Sequence, residues 1–410
     1  MPLSAIVIDR APDPVAVAQH FAGRPGFAFL HGASDGERGQ RSFVAVDPIE
    51  TSTHWLPSLG ESRSDVTHGV GRAAWSGDED ARSDVPRWIG AIPYECARSL
   101  ERASWTRTPD LRPAPHVDQP TWLRYGAVID IDAAHGVLRV VGDDGAKVAQ
   151  LARELREFPM SRRARALVRL EPLDDEAPQA HLDRIRRAKE LIRAGDLYQV
   201  NLARRQRFHV EGQPLDLYLA LAECAPADFG ACVDLDGTFV CASSPELFLA
   251  IDPSSGSVKT APIKGTRPRG RDADADAKLR RELDESAKER AELTMILDVE
   301  RNDLGKVCVP GSVRLLAGPH VDTHPTVHHR SALVGGFLRP GTTPLEALRA
   351  MFPSGSVTGA PKVRAMEVIA RLEPVRRGLY TGALGYVTAG GSVCLAMAIR
   401  VVTVQGGEAH

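Results

Sequence analysis

The sequence predicts an α+β protein of two lobes, built mainly of antiparallel β-sheets packed with helices. Three observations lead there. Short apolar runs in alternating pattern, each closed by Gly or Pro, recur along the chain. Helical spacing is confined to a few segments between them. No regular strand-helix-strand alternation is present, which excludes a doubly wound parallel sheet.

In chain order, "FAFLHGA", "RSFVAVDP", "RWIGAIPYE", "YGAVIDID" and "GVLRVVGDD" read as strands, and "GAKVAQLARELRE" over 145–157 as an amphipathic helix. Residues 158–180 pass from a basic patch to an acidic, proline-marked stretch, which places a linker near 170–180 between regions 1–170 and 180–410. All five tryptophans fall between Trp55 and Trp122, so the two regions are expected to hold separate cores. The second region opens with a helix to about Ala194, stopped by Gly195-Asp196 and followed by an alternating strand. "TFVCASS", "LFLAI", "ALGYVTAG" and "VCLAMAIRVVTV" read as further strands, with helices over 276–299 and 359–372.

Composition narrows the function. The 410 residues are 43% hydrophobic and 25% charged, ordinary for a globular protein, and a formal charge of -2 argues against a nucleic-acid partner. No apolar run approaches the ~20 residues of a membrane span, and the start "MPLSAIVIDRAPDPVAV" lacks the basic opening and apolar core of a secretory signal. The expectation is a cytoplasmic protein with no membrane partner. The six cysteines are scattered, with no C-x-x-C pair, and read as reduced.

Six groups of residues carry candidate chemistry. Only 8 of the 51 basic residues are lysine, so Lys264 in "TAPIKGTRPRG" is either a strand-end lysine with its head in water or a desolvated amine available as nucleophile or base. Glu246 in "CASSPELFLA" either caps a turn or, beside an apolar pocket, acts as a general acid of raised pKa. Glu285, Glu289 and Glu292, at i, i+4 and i+7 of one helix, form either a solvated face or a Mg²⁺ site. "FPSGSVTGAPKVRAMEVI" is a plain capped loop or a carboxylate cradle at a helix start. "THPTVHHR" adds His324, His328 and His329, and Arg400 lies within an apolar strand, where it needs an anion or snorkels out.

"GDLYQVNLARR", "SSPELF", "APIKGTRPRG", "RNDLGKV", "HPTVHH", "FPSGSVTGAPKVRAMEVI" and "RRGLYTGALGY" stand in the order found in the chorismate-binding enzymes, and the chain resembles that family densely from about 181 to 403. "RSFVAVDP" and "IGAIPYE" look like its amino-terminal region. The resemblance implies the anthranilate synthase component I-like fold. It also implies a Mg²⁺ cofactor, chorismate as substrate and a glutamine amidotransferase partner, since no cysteine here sits in a G-x-C-x-G elbow.

Gln199 stands where the water-adding members carry a lysine base, which implies an ammonia-using member. "PIKGT" resembles the aminodeoxychorismate synthase component I branch, where anthranilate synthases show "PIAGT". By resemblance, Lys264 is the nucleophile and Glu246 the general acid. Glu292, with Glu289 nearby, belongs to the Mg²⁺ site. Gln199, His329, Thr358, Gly359, Tyr380 and Arg400 line the substrate pocket, with Tyr380 and Arg400 on a carboxylate. Members of the family continue past the strand matching "AIRVVTV" into a glycine-rich turn and a helix with further metal-binding carboxylates, where this chain reads "QGGEAH". The resulting expectation is a chorismate-binding domain lacking its C-terminal segment, with weakened Mg²⁺ and chorismate binding.

Overall fold

The chain is described by a computed structural model over residues 3–10, 13–32, 41–57, 84–101, 103–173 and 176–410. Every paired strand among them is antiparallel. One eleven-stranded sheet runs Ser4–Ile8, Val137–Gly142, Ala127–Asp132, Arg41–Ala45, Ala28–His31, Phe229–Leu235, Thr238–Ser244, Val401–Gln405, Glu408–Ala409, Phe208–Glu211, Arg169–Pro172. A ten-stranded sheet runs Ile263–Pro268, Val327–Phe337, Ser257–Ala261, Leu247–Asp252, Val393–Met397, Ala383–Thr388, Pro86–Ile92, Thr121–Arg124, Glu50–Ser52, with Arg314–Thr323 also paired to Val327–Phe337.

Successive side chains point to opposite faces of a strand, and central strands such as Pro86–Ile92 and Ala127–Asp132 bury apolar residues on both, so each sheet has two faces to bury. Ala28, Phe43, Ala231 and Val240 of the first sheet meet Ile89, Leu123 and Leu384 of the second. The outer face of the first sheet packs Phe29, Ile129 and Val140 against helices Pro14–Phe21, Gly145–Glu157 and Pro214–Cys224. The outer face of the second packs Phe248, Leu249 and Leu395 against helices Ala287–Gly305, Pro344–Met351 and Lys362–Leu372. The layers are thus helix, sheet, sheet, helix.

The boundary expected near 170–180 does not divide these sheets, since each takes strands from both sides of it. An unpaired strand edge exposes its N–H and C=O groups whatever the sequence distance to its neighbour, and loop closure grows costly only slowly with length. Among the described residues the tryptophans mark no separate core, Trp75 lying outside them: Trp88 and Trp122 pack in one cluster with Phe248, Leu293 and Met366. Within the expected linker, residues 174 and 175 lie outside the described residues.

Four expected elements are shorter than the pattern suggested. The long acidic helix breaks into Ala273–Glu285 and Ala287–Gly305, because Ser286 leaves helical geometry (φ -61, ψ 110) and its hydroxyl accepts the Glu289 N–H at 3.3 Å. Glu285 therefore ends one helix while Glu289 and Glu292 begin the next. The helix expected over 359–372 is Lys362–Leu372, preceded by a single turn, Gly355–Thr358. The run "VCLAMAIRVVTV" splits into Val393–Met397 in one sheet and Val401–Gln405 in the other, with Arg400 at φ +49 in the crossing. The strand expected after Gly195 is the two-residue Gln199–Val200, and pairing resumes at Phe208–Glu211.

Candidate active site

The loop 352–361 organises the site. Gly359–Ala360 pairs with Gln199–Val200, and Asn201 N–H donates to the Thr358 carbonyl at 2.9 Å. Gly359 has φ +141, and a Cβ on it would come within 2.2 Å of the Gln199 carbonyl oxygen, so only glycine fits that close backbone approach. Thr358 is buried and its hydroxyl donates to the Ser354 carbonyl at 2.9 Å. Gln199, Thr358 and Gly359 are thereby brought together, and Gln199 Oε1 is buried without a protein donor.

Lys264 and Glu246 converge on the same loop. Lys264 lies on the strand Ile263–Pro268, where the pairing register shifts between Ile263 and Thr266 and Gly265 takes φ +89. Its Nζ donates to the Ser356 carbonyl at 2.6 Å. The Ser356 hydroxyl donates to Glu246 Oε1 at 2.5 Å. Glu246 is buried, which pushes its carboxyl up to about 7 against the opposing pull of the Ser356 hydrogen bond and the Lys264 charge.

Opposite Thr266 on the neighbouring strand, buried His329 contacts Thr266 Oγ1 through Nδ1 at 2.9 Å and Arg400 through Nε2 at 3.0 Å. A guanidinium only donates, so Nε2 accepts and the ring proton sits on Nδ1, facing Thr266. Burial, reinforced by the Arg400 and His324 charges, lowers the His329 pKa to about 4 and keeps it neutral at pH 7. Burial likewise lowers the pKa of Arg400. Tyr380 is 42% exposed and lines a cavity of about 590 Å³ with Arg376, Arg377 and Val401.

Glu289 reaches the Lys264 turn from the first turn of helix Ala287–Gly305: a Cβ on Gly265 would meet its Oε2 at 3.0 Å. Arg267 lies 3.7 Å from its Oε1. One turn on, Glu292 pairs with Lys288 at 3.6 Å on the surface. Among the described residues, the set of three metal-type side chains within mutual ligand reach lies elsewhere, at His116, Glu408 and His410. There the two imidazoles stack with centroids 3.7 Å apart and planes 14° from parallel, so their lone pairs do not converge on one ion.

Sequence reading missed Glu300. It is fully buried, and Ser354 Oγ and Gly355 N–H donate to its Oε1 at 2.8 and 3.1 Å. Burial pushes its carboxyl up to about 7 against the nearby Lys362 charge. The signal was present: Leu293, Ile296, Leu297, Glu300 and Leu304 follow the spacing of one buried helical stripe, with a carboxylate standing where an apolar residue belongs.

Comparisons with known proteins place this geometry. Residues 33–410 match the family described as chorismate binding enzyme. The anthranilate synthase component 1 of Streptomyces coelicolor is 36% identical over 439 aligned positions, covering 100% of this chain and 83% of its own length. The aminodeoxychorismate synthase of Streptomyces griseus is 44% identical over 219 residues, covering 53% of this chain and 30% of its own length. The crystal structure of anthranilate synthase component I from Streptococcus pneumoniae superposes with a TM-score of 0.70 at 24% identity, covering 100% of this chain and 86% of that one. The menaquinone-specific isochorismate synthase of Escherichia coli superposes at 0.71 with 17% identity, covering 99% and 87%, so the expected fold is present.

Proposed function

The chain belongs to the chorismate-binding enzyme family, and on that premise we propose that it converts chorismate and ammonia to 4-amino-4-deoxychorismate, the ammonia coming from a glutamine amidotransferase partner. The observation that carries this reading is the meeting of Lys264 and Glu246 on Ser356, an amine and a buried acid held by one residue.

The chemistry follows from those two groups. Once Lys264 has given up its proton, its amine adds at C2 of the ring, the conjugated diene shifts, and the C4–O bond breaks. Hydroxide is a poor leaving group, so Glu246 gives its proton to that oxygen and water departs. Ammonia then adds at C4, the diene shifts back, the C2–N bond breaks, and its electron pair returns to Lys264. The excess proton carried by the incoming ammonia restores Glu246. Addition at C4 with lysine as the departing group gives para amination. Arg400, Gln199 and the Thr358-Gly359 backbone are proposed to orient the substrate, with Arg400 complementing a carboxylate; Tyr380 lines the neighbouring cavity beside Arg377 rather than this cluster.

The donor set suits a magnesium ion, which takes one or two carboxylates plus substrate oxygens. Glu289 and Glu292 would hold it, one helical turn apart beside the Lys264 turn. When bound it supplies positive charge to a substrate carboxylate.

A second reading, anthranilate synthase component I, is favoured by the match that spans the whole chain. Lys264 opposes it, because direct ortho amination needs no amine at that turn.

Cys232, Cys241 and Cys308 are buried, burial raises the Cys96 and Cys308 thiols to about 12 and about 11, and neither Cys224 in "AECAP" nor Cys394 in "SVCLA" stands in a glutaminase elbow. The purified chain should form product from chorismate, Mg²⁺ and ammonium salt but none when glutamine replaces ammonium, until an amidotransferase subunit is added. Chromatography of the reaction decides this. Product from glutamine and the chain alone would remove the partner from the account.

A further inference from the structure

We propose that Glu300 is a positioning residue that holds one proton in common with Glu246 through the hydroxyls of Ser356 and Ser354. The proposal deepens the reading above and rests on it for its activity measurement. Four groups stand in an unbroken line: Glu246 Oε1, Ser356 Oγ at 2.5 Å, Ser354 Oγ at 2.9 Å from that, and Glu300 Oε1 at 2.8 Å from Ser354. All four residues are buried.

Counting protons decides what the line does. Three contacts join the four groups, and the two hydroxyls bring two protons. With both carboxyls ionised, one contact is left as two facing lone pairs between buried, like-charged ends. With one further proton every contact is filled, whether that proton sits on Glu246 or on Glu300, because the hydroxyls turn together. The singly protonated pair is therefore the state the geometry satisfies best; Glu300 Oε2 is buried with no donor, and among the described residues the Gly355 N–H on Oε1 is the one hydrogen bond that carboxyl has outside the line.

The surrounding charges are few. Lys264 faces Glu246. Lys362 and Asp303 face Glu300, but Lys362 Nζ is committed to Asp303 Oδ2 at 2.5 Å and to the Met351 and Pro353 carbonyls. Two buried carboxyls so linked titrate as a pair: burial pushes each toward 7, and the Glu300 charge adds to the rise at Glu246. During turnover the shared proton reaches Glu246 from Glu300 by a shift of three protons along the line and is delivered from Glu246, which leaves both carboxyls ionised until the excess proton brought by ammonia restores the pair.

The test is the pH profile of kcat in the full chain. Glu300→Gln removes the shared proton and the like charge, so Glu246 ionises more readily and the alkaline limb moves to lower pH by about one unit. The loss is about tenfold at pH 8 and shrinks as the pH is lowered. Ser354→Ala keeps both carboxyls but cuts the line, and it should move the limb the same way. An unmoved limb in Glu300→Gln, or a loss equal at all pH, overturns the proposal. A limb moved by Glu300→Gln but not by Ser354→Ala overturns the hydroxyl path. Infrared titration of the free protein needs no turnover: wild type should show a carboxylic acid C=O band that disappears near pH 7 and that changes in Glu300→Gln. Absence of that band sinks proton sharing. A protein that shows the band but does not turn over chorismate sinks only the proposed function.

Discussion

Lys264→Ala should abolish para amination while leaving chorismate binding intact. The substitution removes one amine and its hydrogen bond to the Ser356 carbonyl and leaves His329, Arg400, Glu289 and Glu292 in place. If covalent attachment at C2 supplies about 3 kcal/mol of transition-state stabilisation, 4-amino-4-deoxychorismate formation falls by roughly 10²-fold or more, in kcat and not in KM. The variant recreates the "PIAGT" turn, so any residual amination should shift toward C2. Chromatography of products from chorismate and ammonium, with wild type alongside, measures both effects. Unchanged formation of the para product would leave Lys264 as a strand-end residue whose head merely caps a carbonyl.

Glu246→Gln carries the second large effect. Gln keeps the volume and fills the same buried space, but it has no proton to give the departing hydroxyl, and loss of a general acid costs about 10²- to 10⁴-fold. The pH dependence follows from the raised pKa. Below about 7 the wild-type carboxyl is protonated and competent, and above about 7 it ionises and the rate declines. The Gln variant should be slow throughout and lose that alkaline limb. A variant that keeps the limb would assign it to some other group.

The parts of this site that rest on local chemistry were legible in the sequence. A lysine in a lysine-poor chain, placed beside Gly265 in an apolar turn, and a glutamate after a Ser-Pro step are unusual enough to notice without a fold. The parts that depend on long-range pairing were not. Nothing local shows that Arg400 sits between two sheets, since Val393–Met397 and Val401–Gln405 read as one apolar run. Ser286 reads as an ordinary helical residue until its cap on Glu289 is seen, and so the expected row of three carboxylates lost Glu285 to another helix. Glu300 stood in a legible apolar stripe but was overlooked because a charged helix reads as a solvated one; its partner Ser354 lies 54 residues away. The sheets interleave the two halves of the chain because hydrogen-bonding edges, unlike composition, take no account of sequence position.

Where the nitrogen goes tests the central claim most directly. Chorismate supplied with Mg²⁺ and ¹⁵N-ammonium should give a product bearing ¹⁵N at C4 and retaining its enolpyruvyl group, with no pyruvate released, as nuclear magnetic resonance and a coupled pyruvate assay would show. Anthranilate labelled at C2, formed with one equivalent of pyruvate, would contradict the account and return Lys264 to the role of a structural residue.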